Sequence, residues 1–295
     1  AFVTLNSPDL RYNMRSSEFG NFGNAWTGGL GRGNFQDGNG LQEFGTASTL
    51  LMARSATGSH QWLTNTALVA TASPIGGSNI PAGFVTSDIT AGNVRTTQFT
   101  VPGFTGINVT LRQEAANDGF HQTYTFLSNA TTSLTLVDAA DMDVPISTAL
   151  SNRLRVDSPS RLSVFDASET RKVWRYADRN YNGYAAIHHP DGVTGRMFMA
   201  GYNAFGIPAS GLNAFRTLSE DFDFPALIGN EDTNGDLLTD GLRDVGFHMQ
   251  YNLALAANQP QSIRITTEIS RLPEPTTLAV LAAPAMVLLR RRRKD

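Results

Sequence analysis

Residues 121–127 read HQTYTFL. In an extended chain successive side chains point to opposite faces, so Tyr124 and Phe126 share one side while Thr123 and Thr125 take the other. This two-residue period, carried by aromatic and β-branched residues, predicts a half-buried β-strand. Working outward, the same reading applies to FTGINVTL (104–111) before it and to SLTLV (133–137) after it. RLRV (153–156), RLSVF (161–165), KVWRY (172–176), GYAAI (183–187) and RMFMA (196–200) continue the series. FHMQYNLAL (247–255) and SIRITTEI (262–269) are joined by AANQPQ and read as a closing antiparallel hairpin. Helical spacing is confined to one short segment near residues 145–153. Many short strands separated by turn residues predict an all-β fold, a large antiparallel multi-stranded β-sandwich. No Pro-rich linker or internal repeat divides residues 1–270, so they are expected to form one body. Residues 19–45 are glycine-rich and read as turns and short strands. No apolar strand leads into Gly31 and Gly33 and no helix pattern follows them, which removes a nucleotide-loop reading.

The chain has 295 residues, 41% of them hydrophobic, which is ample for a core. There is no cysteine, so disulfides, thiolate metal sites and cysteine catalysis are excluded. The formal net charge is −3. Setting residues 276–295 aside lowers the basic count from 23 to 18 and the acidic count from 26 to 25. The body is therefore acidic, which argues against nucleic-acid binding. The first residues, AFVTL, lack the charged and apolar regions of a signal peptide, and Ala1 is compatible with cleavage by a signal peptidase.

The basic charge sits at the other end. Pro273-Glu274-Pro275 is followed by TTLAVLAAPAMVLL, 14 residues without a charge, and then by Arg290, Arg291, Arg292, Arg293 and Lys294. As a helix the apolar run reaches about 21 Å at ~1.5 Å per residue, short of a ~30 Å hydrocarbon core. Arginine stems that snorkel narrow the gap, and Pro284 would kink the helix. Cations at the cytoplasmic side would leave the body facing outward. The expected organisation is a sandwich body over 1–270, a hinge over 271–275, and a tail over 276–295 with a short C-terminal apolar helix and a basic cluster.

This ordered triplet resembles the PEP-CTERM sorting signal, the tag carried by exosortase substrates of Gram-negative bacteria. The resemblance covers about 23 residues, from Pro273 to the end. It implies passage across the inner membrane, recognition at Pro273, Glu274 and Pro275 by an exosortase-type processing enzyme, and removal of the tail. The implied destination is the cell surface or an extracellular matrix.

Within the body, several constellations offer chemistry. Asp232, Asn234, Asp236 and Asp240 stand at positions 1, 3, 5 and 9 of a loop, the alternation by which oxygen ligands wrap calcium. Leu237 replaces the glycine of such loops, and Arg243 stands where a bidentate Glu would close the shell. Calcium binding and a plain Asx-turn loop are the two readings. Asp138, Asp141 and Asp143 read as a solvated turn. Glu220, Asp221 and Asp223 offer paired carboxylates to a polysaccharide-active enzyme, although acidic surfaces carry such groups routinely. His188 and His189 are adjacent, so on a strand they cannot share one ion. His60, His121 and His248 read as structural histidines. Trp174, Tyr176, Tyr181 and Tyr184 are dense enough to form a sugar-stacking platform, against a default of core packing. No nucleophile elbow is present. The expectation is a non-catalytic surface or matrix protein, with carbohydrate binding as the alternative and an enzyme as the second alternative.

Overall fold

The computed structural model describes residues 2–6, 11–15, 35–36, 42–56, 60–63, 80–116, 119–143, 152–158, 160–166, 171–178, 183–188, 234, 236–242 and 245–271. Two eight-stranded sheets account for most of them. The first contains β1 (Phe2–Asn6), β2 (Arg11–Arg15), β3 (Phe35–Gln36), β4 (Gln42–Ser55), β10 (Thr132–Asp143), β15 (Val245–Leu255) and β14 (Gly183–His188), in that spatial order. A short β5 (His60–Trp62) also pairs with β4. The second runs β11 (Asn152–Ser158), β12 (Arg161–Asp166), β13 (Arg171–Ala177), β16 (Pro260–Arg271), β9 (Gly119–Ser128), β8 (Ile107–Ala115), β7 (Val94–Thr100) and β6 (Val85–Ala91). Every strand pairing is antiparallel among the described residues. The all-β, antiparallel expectation holds, and the two sheets share one apolar core in a sandwich-like arrangement.

Alternation builds that core. In β8, Ile107, Val109, Leu111, Gln113 and Ala115 are buried while Asn108 and Arg112 are exposed. In β9, Tyr124 and Phe126 are buried and Thr123 and Thr125 only partly so, as the two-residue period predicts. The first sheet answers with Leu134, Leu136, Met249, Tyr251, Leu253 and Leu255. Complete burial of a large apolar side chain contributes roughly 1.5–3 kcal/mol, so these rows hold the sheets face to face.

Three sequence expectations are corrected. First, β15 and β16 do not form a hairpin. β15 pairs with β10 and β14 in the first sheet, and β16 with β13 and β9 in the second. Their connection crosses between sheets: Asn258 takes φ 56°, and its N–H donates to the Ser128 carbonyl over 2.7 Å. The β9–β10 connection makes the same crossing alongside, with the Asn129 N–H donating to the Gly106 carbonyl. Gly106 has φ +78°, and a Cβ there would collide with the Asn129 side chain. Second, the strand after Ser133 does not end in a turn. β10 runs on to Asp143, and Asp138 is fully buried. Third, residues 152 and 153, expected near the end of a short helix, belong to strand β11. RMFMA and the 273–295 tail lie outside the described residues. Among the described residues no helix is long and apolar enough to cross a membrane.

Candidate functional site

The outer face of the second sheet, across β11, β12, β13 and β16, gathers aromatic rings and cations. Register sets the rows: Arg161 lies opposite Tyr176, Ser163 opposite Trp174 and Phe165 opposite Lys172. On the far side of β13, Glu268 lies opposite Trp174 and Thr266 opposite Tyr176. On the near side of β12, Arg153 faces Phe165 and Arg155 faces Ser163. All these residues share the face opposite the core.

Rings and cations alternate along this face. The Arg161 guanidinium carbon lies 4.9 Å from the Trp174 ring centroid and 5.1 Å from that of Tyr176. The Lys172 Nζ lies 5.2 Å from Phe165 and 5.6 Å from Trp174. Arg155 continues the series at 5.9 Å from Phe165. The negative face of an aromatic quadrupole attracts such cations, at about 0.5–1 kcal/mol each near a surface. The stems cover Phe165 and Ser163, which are buried although they point away from the core. Arg161 and Arg155 also pair with Glu268 at 3.6 Å and Asp157 at 2.7 Å. Burial, followed by the Glu268 charge and its hydrogen bond, raises the Tyr176 phenol above its ordinary pKa. Beneath the ladder, Arg161 Nε and Ser163 Oγ are buried without hydrogen-bond partners.

The opposite face of β13 carries a second polar group, which sequence reasoning missed. Arg175, between Trp174 and Tyr176, points into the core with only 2% exposure. Its Nη2 and Nε donate to Asp138 of the opposing sheet over 2.6 and 2.9 Å. Its Nη1 donates to Thr267 Oγ1 at 2.8 Å and to Gln122 Oε1 at 3.2 Å. Burial by itself would lower the Arg175 pKa, but the Asp138 charge and hydrogen bonds outweigh it and hold the guanidinium above its ordinary value. Further along the sheet, fully buried Arg95 donates to both Asp88 oxygens over 2.6–2.8 Å. Tyr124 Oη has no hydrogen-bond partner, and burial pushes its phenol upward. A signal for the Arg175 pair existed: in KVWRY the arginine shares its face with Val173, and Asp138 follows Leu134 and Leu136 in phase.

The residues predicted for sugar stacking do not form one platform. Trp174 and Tyr176 share the outer face of the second sheet, whereas Tyr184 belongs to β14, at the end of the first sheet. Tyr181 lies outside the described residues. The reason is that the chain changes sheets between β13 and β14, which residue spacing alone does not reveal. His121 is held as a structural histidine, with Nδ1 3.0 Å from Thr266 Oγ1.

The predicted metal loop is described in part. Asn234 Oδ1 accepts from the Asp236 N–H at 2.9 Å, and Asp236 Oδ1 accepts from the Leu238 N–H at 3.0 Å, which are two linked Asx turns. Leu237 takes φ 64° between them. The loop then runs along β11: the Val156 N–H donates to the Leu237 carbonyl and the Thr239 N–H to the Leu154 carbonyl, each at 2.9 Å. Thr239 Oγ1 accepts the Leu154 N–H, so the segment covers the edge of the sheet. Asp240 is exposed. Among the described residues no three acidic or histidine side chains converge on a metal position. Asp232, Glu220, Asp221 and Asp223 lie outside the described residues, as do Pro273, Glu274, Pro275 and the terminal basic cluster.

No family model matches the chain. No curated protein matches it either. Solved structures do. A galactose mutarotase related enzyme from Lactobacillus acidophilus aligns with 93% of this chain and 99% of its own, at 5% identity and a TM-score of 0.47. A family GH92 alpha-mannosidase from Bacteroides thetaiotaomicron aligns with 82% of this chain at 8% identity and a TM-score of 0.35. A 4-alpha-glucanotransferase from Thermococcus litoralis aligns with 62% at 11% identity and a TM-score of 0.31. This chain spans only 26% and 22% of those last two proteins. With each of these scores below 0.5, the functional reading rests on this chain's own residues.

Proposed function

We propose that this chain is an exported surface or matrix protein that binds carbohydrate polymers on the outer face of its second sheet. The observation that carries the binding reading is the Phe165–Lys172–Trp174–Arg161–Tyr176 ladder, raised on a sheet face away from the core. Its Arg161 and Lys172 already lie within cation–π distance of the rings, so the binding mode differs from open stacking. Ring edges supply apolar contact, and the guanidinium, ammonium and Glu268 groups supply hydrogen bonds to hydroxyls. Export rests on the Pro273–Lys294 tail, which would be processed after crossing the inner membrane.

Two measurements test this. Titration of the folded protein with soluble polysaccharides should give saturable binding that Trp174→Ala reduces at least tenfold while β-structure is retained. A flat titration against neutral and charged polymers alike would leave a purely structural role. For the tail, mass spectrometry of protein recovered from the host surface should show a mature chain lacking Arg290 to Asp295. Recovery of the intact C-terminus from a host with an active processing enzyme would remove the sorting reading.

A further inference from the structure

We infer that β6, the open edge of the second sheet, pairs antiparallel with β6 of a second copy of this chain. This edge lies toward the opposite end of the sheet from the aromatic ladder, and its role is independent of carbohydrate binding. The two edges of the sheet differ. At β11 the 237–239 segment hydrogen-bonds along the strand and covers it. At the other end β6 pairs only with β7 among the described residues, and Thr86, Asp88, Ile89, Thr90 and Ala91 are exposed.

Register shows which main-chain groups of β6 are open. The Asn93 carbonyl accepts from the Ala115 N–H at 3.0 Å, so residues 93, 95 and 97 turn their main-chain groups toward β8. These directions alternate along a strand, so Val94, Thr96 and Gln98 bond to β6, at Ala91, Ile89 and Ser87. Asp88 and Thr90, opposite Thr97 and Arg95, therefore aim their N–H and C=O groups out of the sheet. Such a row templates another strand unless something blocks it. The β6 sequence VTSDITA has no Lys, Arg or Pro to do so. Its one charge, Asp88, is held by Arg95 through Nε and Nη2 over 2.8 and 2.6 Å. A bulge between Val85 and Ser87 limits regular pairing to residues 87–91.

The partner that fits is an identical edge. With Ile89 on the two-fold axis, Asp88 meets the partner's Thr90 as a hydrogen-bonded pair, and Thr90 meets the partner's Asp88. The two Ile89 side chains then form a close non-hydrogen-bonded pair, with Cα atoms ~4.5 Å apart. Ile89 stands on the outer face opposite Thr96 and is 64% exposed, the most open large apolar side chain among the described residues. Pairing Asp88 with its own copy would oppose two acids, and pairing Thr90 with its own copy would shorten the overlap. A foreign strand added to an edge draws specificity from pockets for its alternate side chains. Beside Ile89 stand Thr96 and, one strand further, Arg112, which offer polar contact and no apolar anchor. So short an overlap buries less than the ~1,200 Å² of a stable interface, so the dimer is weak and concentration-dependent.

The test uses the full chain in a nonionic detergent, because the apolar run of residues 276–289 offers a second route to association. Sedimentation between about 5 and about 500 µM should show monomer passing to dimer, the range expected of a small interface. Thr90→Pro removes an N–H aimed at the open edge and leaves the β7 ladder intact, and Ile89→Lys sets two like charges on the axis. Each should weaken dimerisation by about tenfold or more. The chain has no cysteine, so a single introduced thiol reports the axis. Under mild oxidation Ile89→Cys should cross-link most chains, because Cα atoms ~4.5 Å apart admit a disulfide. Leu127→Cys, also exposed but on β9, should not. The cross-linking arm stands even if Thr90→Pro misfolds. A monomer at every concentration, with no more cross-linking at position 89 than at 127, would overturn the pairing. Dimerisation unchanged by both Thr90→Pro and Ile89→Lys would put the contact elsewhere and overturn it as well. A scrambled peptide that dissociates the dimer as well as a peptide of residues 85–91 does would overturn self-pairing in favour of general strand addition.

Discussion

Strand β13 presents two chemistries on its two faces. Inward, Arg175 meets one carboxylate in the core, with a bidentate contact and two further acceptors. Outward, Trp174 and Tyr176 meet Arg161 and Lys172 lies over Phe165 and Trp174, near the solvent boundary. The inner arginine is satisfied as fully as geometry allows, because an unpaired buried charge is costly. The outer cations need no such completeness, since water solvates their exposed parts. The comparison shows why a charged residue at a core position has to be paired, while charged residues on an outer row do not.

Breaking the inner pair should have the largest effect. Asp138→Ala leaves the Arg175 guanidinium buried without its counter-charge and should destabilise the fold by about 3–5 kcal/mol. Replacing both partners, as Asp138→Leu with Arg175→Met, should recover most of that loss, because desolvation offsets much of the attraction in a buried pair. Denaturant melts of the single and double variants measure both. A single variant as stable as the parent would mean that the two sheets do not depend on this bridge.

Breaking the outer face should affect stability less and ligand binding more. Trp174→Ala removes one ring from between two cations and should cost about 1–2 kcal/mol. Together with the Asp138 variant it separates the faces: one loses mainly folding free energy, the other mainly polymer affinity. Loss of stability in Trp174→Ala as large as in Asp138→Ala would make the ladder a structural element.

The edge-covering loop sharpens the comparison at an intermediate level. Asp236→Ala removes the acceptor for the Leu238 N–H and should cost about 1 kcal/mol. If residues 232–240 form a plain Asx-turn loop, a chelator should leave the melting temperature of the parent unchanged. A chelator-induced fall that Asp236→Ala abolishes would assign calcium to residues 232–240 instead.

The smallest effect belongs to the Arg112–Glu114 pair on the outer face of β8. The hydrogen bond from Arg112 holds the Glu114 carboxyl below its ordinary pKa of 4.5. A carboxylate whose folded pKa is depressed contributes stability above its unfolded pKa and loses it as pH falls through the folded value. Both groups are partly exposed, so solvent screening limits the contribution to about 0.2–1 kcal/mol. Glu114→Gln should therefore flatten the acid limb of the stability–pH curve only slightly, and a large change would implicate a wider network.

The sequence by itself determined the strands and their faces. HQTYTFL, SLTLV, RLSVF and KVWRY became β9, β10, β12 and β13 in phase, because burial of one face enforces a two-residue period that composition cannot hide. Arg175 fits that period, between outward Trp174 and Tyr176, although the sequence reading did not single it out. Tertiary structure alone decided which strands are neighbours. FHMQYNLAL and SIRITTEI each have one apolar face whether they pair edge to edge or stack across a core, so their pattern fits a hairpin and a crossover equally. The crossover also put Asp138 opposite Arg175 and separated Tyr184 from Trp174, because both outcomes depend on which sheet a strand joins. That choice is made by contacts between residues far apart in the chain, and no local pattern of side chains encodes it.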